Sequence, residues 1–276
     1  RRGALEISKF LEQKYGKNGV EFILDEGPGV MDPVVPAKEV AYATVATAEK
    51  GYLDVLIELK APGGHSSLAG KHSLIGLMAE IIVSLENEDP FLPRVSKKNP
   101  IFDLLSCQSF DNLDIPTLLH RIQNGDTKAE YELGRALQTT SISGLTRTSQ
   151  AIDLIKGGQK INALPERVSV GINYRVATDS SLQEIKLRIV SILDPIAVKY
   201  NMSSCFFNDE EDLTSPIRLR VSQIGKALEP AKMSPRDSKA YSIIFGTVRS
   251  SLTSHYRKAM NIKSLQVVST LMAGNT

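Results

Sequence analysis

Apolar positions recur along the chain with two different periods, and the changes of period mark its elements. Near the start, Ala4, Ile7, Leu11 and Tyr15 fall on one helical face, widened by Leu5 and Phe10, with Gly16 placed as a C-cap. Val20–Leu24 is a continuous apolar run, the pattern of a strand buried in a sheet. It stops at Asp25-Glu26 and then Gly27-Pro28-Gly29, a loop signal. These first 29 residues read as an α–β unit that sets two carboxylates at the carboxyl end of a strand, where open α/β sheets place ligands. A carboxylate there is a candidate metal ligand or general base; the alternative is a solvated strand exit.

Val40–Ala48 has the pattern of another strand. From Gly51 the period shortens to two: Leu53, Val55, Ile57 and Leu59 alternate with Tyr52, Asp54, Glu58 and Lys60, which predicts a half-buried strand. A helix is expected over Ser73–Glu86. Pro90, Pro93 and Pro100 then punctuate a loop, Thr127–Leu137 is helical in pattern, and Thr139–Arg147 is read as a strand. Arg167–Val176 alternates clearly. Ser181 and Glu184 form a capping box for a helix reaching about Tyr200, with a kink expected at Pro195 and a short strand near Met202–Phe207. The order from 51 to 208 is β-α-β-β-α-β with an insertion, a ferredoxin-like arrangement. Asp209–Asp212 is an acidic exit, and Glu210-Glu211 within it reads as a solvated linker. A helix carrying Ile243, Ile244, Val248 and Leu252 follows, and then a buried strand at Leu265–Leu271. The expected architecture is α/β: one domain, residues 1–49 and 214–276, interrupted by a second at 50–213.

With 276 residues the chain is long enough for two domains. Its net charge of +2 and the lack of a Lys/Arg tract with interleaved aromatics argue against nucleic acid as a partner. No apolar run reaches the roughly 18 residues of a membrane span, so neither a membrane anchor nor a signal peptide is visible. The chain begins at Arg1, without methionine, and is expected to lack its natural N-terminus. Cys107 and Cys205 form no CxxC pair, which leaves a single bridge open.

Three residues outside the first unit could carry chemistry. His65 follows two glycines in Gly63-Gly64-His65-Ser66-Ser67; glycines let the backbone approach another body, and the imidazole is then free to donate to an oxyanion. A plain loop histidine is the competing reading. Asn162 lies in the polar loop before the Arg167 strand. Arg175 sits opposite the Val168/Val170/Ile172 stripe, where it could hold a carboxylate bidentately or simply be solvated. His72, His120 and His255 stand in helical or polar surroundings and read as surface or capping residues.

Strand-Asp25-Glu26-Gly27, Lys60-Ala61-Pro62-Gly63-Gly64-His65-Ser66-Ser67, Ile161-Asn162-Ala163-Leu164-Pro165 leading to Asn173-Tyr174-Arg175, and Gly274-Asn275-Thr276 occur in one order. That series resembles the di-zinc aminoacylase/carboxypeptidase family of metallopeptidases, closest to its fungal vacuolar Gly-X carboxypeptidases, over nearly the whole chain. The resemblance implies a zinc-exopeptidase domain interrupted by a lid that pairs two subunits. It makes Glu26 a terminal ligand of one of two zinc ions. It makes His65 a stabiliser of the tetrahedral intermediate, reaching the site of a partner subunit. Asn162 and Arg175 become substrate-holding residues, Arg175 through the C-terminal carboxylate, although Asn173 stands where many relatives have Asp. Gly274–Thr276 becomes the start of a substrate-cradling loop.

The family's remaining ligands and its Glu-Glu base motif are not in this sequence. The chain is therefore expected to be the central part of a vacuolar, homodimeric metallocarboxypeptidase acting on short peptides, inactive by itself. An N-acyl amino-acid amidohydrolase and a non-catalytic dimerisation module are the rival expectations.

Overall fold

Lys50 is the single residue between β2 (Val40–Glu49) and β3 (Gly51–Lys60), and those two strands belong to different sheets. The structure, a computed structural model, describes residues 2–25, 27, 29–31, 40–88, 91–108, 114–208, 214–255 and 264–274. In the first sheet β2 lies between β1 (Gly29–Met31), antiparallel, and β10 (Ser264–Met272), parallel. Thr47 Oγ1 and Ser269 Oγ share a buried 2.6 Å hydrogen bond across that parallel pair.

The second sheet has the order β5 (Ser149–Gly157), β7 (Arg167–Val176), β3, β9 (Arg218–Leu228) and β8 (Ser203–Phe206). All its pairings are antiparallel except β8 with β9. The period-two pattern works as expected: Leu53, Val55, Ile57 and Leu59 of β3 are fully buried, beside Val168, Val170, Ile172 and Tyr174 of β7. They pack against α2 (Leu74–Asn87) and α6 (Leu182–Lys199), which lends each helix an apolar face to bury. Ser73 accepts from the Gly76 amide at 3.2 Å and Ser181 from the Glu184 amide at 3.2 Å, so both helices start where their caps predict. The Glu184 carboxylate takes the Ser180 hydroxyl at 2.8 Å.

The α/β class and the βαββαβ order hold, with β9 added between β3 and β8. The sequence places the return to the first domain at 213, but β9 runs to Leu228 inside the second sheet, paired with β3 from Lys60 to Tyr52. The insertion supplies α3 (Ile101–Ser106), α4 (Ile115–Gln123) and α5 (Thr127–Ala136), and Thr127–Leu137 is helical as expected. Their apolar side chains share a core with Tyr42, Val268 and Leu271 of the first sheet, so these three helices pack there. α7 (Lys239–His255) also lies against that sheet.

Two expected strands are absent. Val20–Leu24 has no strand pairing, and Ile23 and Leu24 are 80% and 67% exposed. A strand needs a neighbour for its backbone groups, and none lies beside this run among the described residues. Thr139–Arg147 instead forms turns, because successive i→i+3 bonds (Thr140 N to Leu137 O, Ser143 N to Thr140 O, Thr146 N to Ser143 O) hold it locally. The strand begins just after, at Ser149. Cys107 and Cys205 are both free thiols. The acidic exit with Glu210-Glu211 lies outside the described residues.

Candidate active site

His65 is held by a two-residue ladder, β4 (Gly64–His65) with β6 (Ala163–Leu164), in which His65 faces Ala163. The Ser66 amide donates to Asn162 O at 3.2 Å, and the Ser66 hydroxyl to Ile161 O at 3.3 Å. The ladder therefore brings His65 and Asn162, far apart in sequence, to one exposed tip. The Ser67 amide donates to His65 Nδ1 at 3.2 Å, with the Ser67 hydroxyl 2.8 Å from the same atom. With Nδ1 accepting, the neutral ring carries its hydrogen on Nε2.

Arg175 stands at the other end of β7. Its guanidinium donates from Nε to Asn173 Oδ1 at 3.1 Å and from Nη1 to Gly274 O at 3.0 Å, and lies 4.9 Å from the centre of the Tyr52 ring. Asn173 in turn donates to Asp54 Oδ1 at 2.8 Å, and the Tyr52 hydroxyl also donates to Asp54. Tyr52, Arg175 and Ser149 are register partners across β3, β7 and β5, and so share the sheet face away from α2 and α6. Asn173, Gly274 and Tyr52 thus hold the guanidinium from three sides.

The two halves do not meet within one chain. β7 starts at Arg167 beside the His65 tip and reaches Arg175 eight residues later, about 26 Å of strand. The Gly274 contact points Arg175 toward the first sheet, while His65 and Asn162 project from the far end.

The sequence profile of the peptidase dimerisation domain, one of the M20 peptidase profiles, matches residues 47–201. The chain belongs to the M20 peptidase family. An uncharacterised carboxypeptidase of Schizosaccharomyces pombe is 36% identical over 90% of this chain and 41% of its own length. Carboxypeptidase S of Saccharomyces cerevisiae is 31% identical over 99% of this chain and 47% of its own length. A human N-fatty-acyl-amino acid synthase/hydrolase is 25% identical over 90% and 44%. Among solved structures, human carnosine dipeptidase 1 matches with a TM-score of 0.51 at 11% identity, covering 97% of this chain and 56% of that one, which shows a shared fold. The chain spans less than half the length of these sequence relatives.

Within this M20 chain Glu26 lies outside the described residues, as do Asn275 and Thr276. No three His, Cys, Asp or Glu side chains among the described residues come together as a metal site. The zinc pair that the resemblance implies thus has no ligand set among them. Of the other histidines, His72 packs edge-on against Tyr200 at 5.2 Å and His120 lies exposed near Asn124, as a surface reading expects. The His255 side chain lies outside the description.

Sequence reasoning missed Asp54 at the Arg175 end. Asp54 was visible as an outward position of an alternating strand, but its nearness to residue 173 required the β3–β7 register.

Proposed function

We propose that the chain is the lid-bearing central part of a zinc-dependent metallocarboxypeptidase that cleaves the C-terminal peptide bond of short peptides of the Gly-X kind, working as a homodimer in the fungal vacuole. The observation that carries this is the division of the polar residues between the two ends of the lid. Arg175, fixed by Asn173, Gly274 and Tyr52, is presented toward the first sheet as a carboxylate receptor. His65, with Nε2 free to donate, and Asn162 project where a second subunit's site can receive them. Each site of the dimer then takes Arg175 from its own chain and His65 with Asn162 from its partner.

Arg175 pairs with a carboxylate that is charged before and during reaction, so it serves binding. His65 donates to an oxygen that becomes negative only as the tetrahedral intermediate forms, so it serves rate. The zinc ions, with Glu26 as one ligand, would supply the activated water in the complete protein. A second reading, hydrolysis of N-acyl amino acids, is favoured by a cavity of about 720 Å³ on the open sheet face, lined by Leu56, Leu154, Leu164 and Ile224 beside the Asn162 loop. The name of the human relative points the same way.

The test is complementation in the complete protein. Assayed with substrate well below KM, subunits carrying His65→Ala and subunits carrying Arg175→Ala are each nearly inactive. Mixed, half the dimers are heterodimers with one intact site each, so about a quarter of wild-type activity returns. No recovery in mixtures shown to exchange subunits would overturn the shared site. Comparing a blocked dipeptide with an N-acyl amino acid as substrate decides between the two readings.

A further inference from the structure

Lys50 takes no part in the site as described, yet it is 5% exposed at the crossing between the two sheets. Its ammonium meets the Gly144 carbonyl at 2.9 Å and the Ser149 hydroxyl at 3.5 Å, and no carboxylate pairs with it among the described residues. Ser149 is the register partner of Arg175, so the ammonium reaches the strand position directly beside the arginine. Arg175 likewise bonds only to neutral acceptors among the described residues, Asn173 Oδ1 and Gly274 O. A buried cation beside a half-buried one, with no anion between them among the described residues, is repelled by it and opposes folding. A methionine would fill Lys50's place without that cost. The arrangement becomes favourable once an anion arrives.

We propose that Lys50 is a positioning residue of the Arg175 site, its charge combining with the guanidinium to form a two-cation seat for the substrate's terminal carboxylate. This rests on the reading of Arg175 as the carboxylate receptor and extends it to a residue outside every motif of the sequence.

Unlike Arg175, Lys50 can lose its charge in the working range. Burial, then the neighbouring Arg175 and Arg147, pushes its ammonium down to about 8. The charged and titratable groups around it are Arg175 from β7, Arg147 from the turn before β5, and Tyr52 and Asp54 from β3, with exposed Glu49 preceding it on β2. β10 meets Lys50 through the backbone: the Lys50 amide donates to Met272 O at 3.1 Å, and Gly274 lies beside the Lys50 carbonyl. A carboxylate in the seat favours the ammonium, so binding weakens as pH rises past about 8.

The experiment is steady-state kinetics of the complete protein on an N-blocked dipeptide with a free carboxylate, between pH 6.5 and 9.5, in wild type, Lys50→Met, Lys50→Arg and Arg175→Ala. The wild-type KM is expected to rise about tenfold from pH 7 to 9.5. Lys50→Met should show that raised KM already at pH 7, with kcat within about twofold and a flat profile. Lys50→Arg, permanently charged, should keep a low KM to pH 9.5. A wild-type KM in Lys50→Met at pH 7, or a wild-type rise in Lys50→Arg, overturns the proposal. If Lys50→Met does not fold, the Lys50→Arg profile still decides. An unchanged KM in Arg175→Ala overturns the carboxylate reading itself, whereas a raised KM there with a normal Lys50→Met removes Lys50 alone.

Discussion

The carboxamide of Asn173 donates to Asp54 at 2.8 Å, so the negative charge behind Arg175 sits one side chain farther back than a carboxylate at position 173 would put it. Asp54 fixes which way the Asn173 amide faces, and the amide oxygen is then turned to Arg175 Nε. Asp54→Ala frees the amide to flip and present N–H to a guanidinium. In the complete enzyme KM should rise about fivefold to tenfold with kcat changed less than about twofold. Steady-state kinetics checks it, and a pure kcat loss would contradict it.

His65→Ala should act in the opposite column. In the proposed role its Nε2 donor meets charge that exists only in the transition state, and loss of one such donor costs about 2.7–4 kcal/mol. The expected result is a kcat lower by roughly a hundredfold to a thousandfold with KM little changed. Kinetics on a blocked dipeptide gives the split, and an intact kcat makes His65 a loop residue.

Gly134 is the glycine where helix propensity misleads. In the middle of an exposed helix Gly→Ala gains about 1 kcal/mol. On α5, however, an added Cβ would lie 2.2 Å from the Pro93 carbonyl oxygen, a backbone atom that cannot swing aside. Gly134→Ala should therefore lower stability by about 1–3 kcal/mol, read as an earlier urea midpoint.

Lys50 also predicts a pH dependence of folding. The folded ammonium releases its proton at about 8, the unfolded one at its ordinary 10.5. Below 8 both states carry the charge and the folded state bears the full cost of burying it. Between 8 and 10.5 the unfolded chain holds the proton longer, so stability rises with pH, and above 10.5 the penalty is gone. Lys50→Met should raise stability at pH 7 by about 1–2 kcal/mol after subtracting the lost Gly144 hydrogen bond, read as a higher melting temperature. The advantage over wild type should shrink to nothing by about pH 10.5 in thermal scans.

β5 is an edge strand with Leu154 58% and Ile155 64% exposed, an apolar edge of the sort that natural sheets cover or charge. If the lid pairs there, Ile155→Lys shifts the protein toward monomer in sedimentation without moving its melting temperature. Unchanged association would move the contact to the lid helices.

The parts of the fold set by local pattern were readable in advance. β3 and β7 alternate, and Ser73 and Ser181 cap α2 and α6 within one turn of chain. β9 was not read, because its apolar alternation stops after Ile217, Leu219 and Val221 at Gln223 and Gly225, and its partner β3 lies more than 150 residues earlier. Val20–Leu24 shows the converse: apolarity marks a wish for burial, but a strand also needs a neighbour. At the site, His65, Asn162 and Arg175 were named from the sequence. That the first two share a tip while the third stands a strand's length away depends on the β4–β6 ladder and the β7 register, both set by long-range pairing.

The parallel pairing of β2 with β10 has a consequence for synthesis. At about 5–20 residues per second, Val40–Glu49 leaves the ribosome roughly 10–40 s before Ser264–Met272 follows. The lid can close its own sheet meanwhile, since β9 ends at Leu228. β2 would wait with an open edge, but the helices of the insertion emerge soon after it and pack on Tyr42 and Ala48. They cover the apolar face of the nascent strand, while its hydrogen-bonding edge stays open until β10 is made.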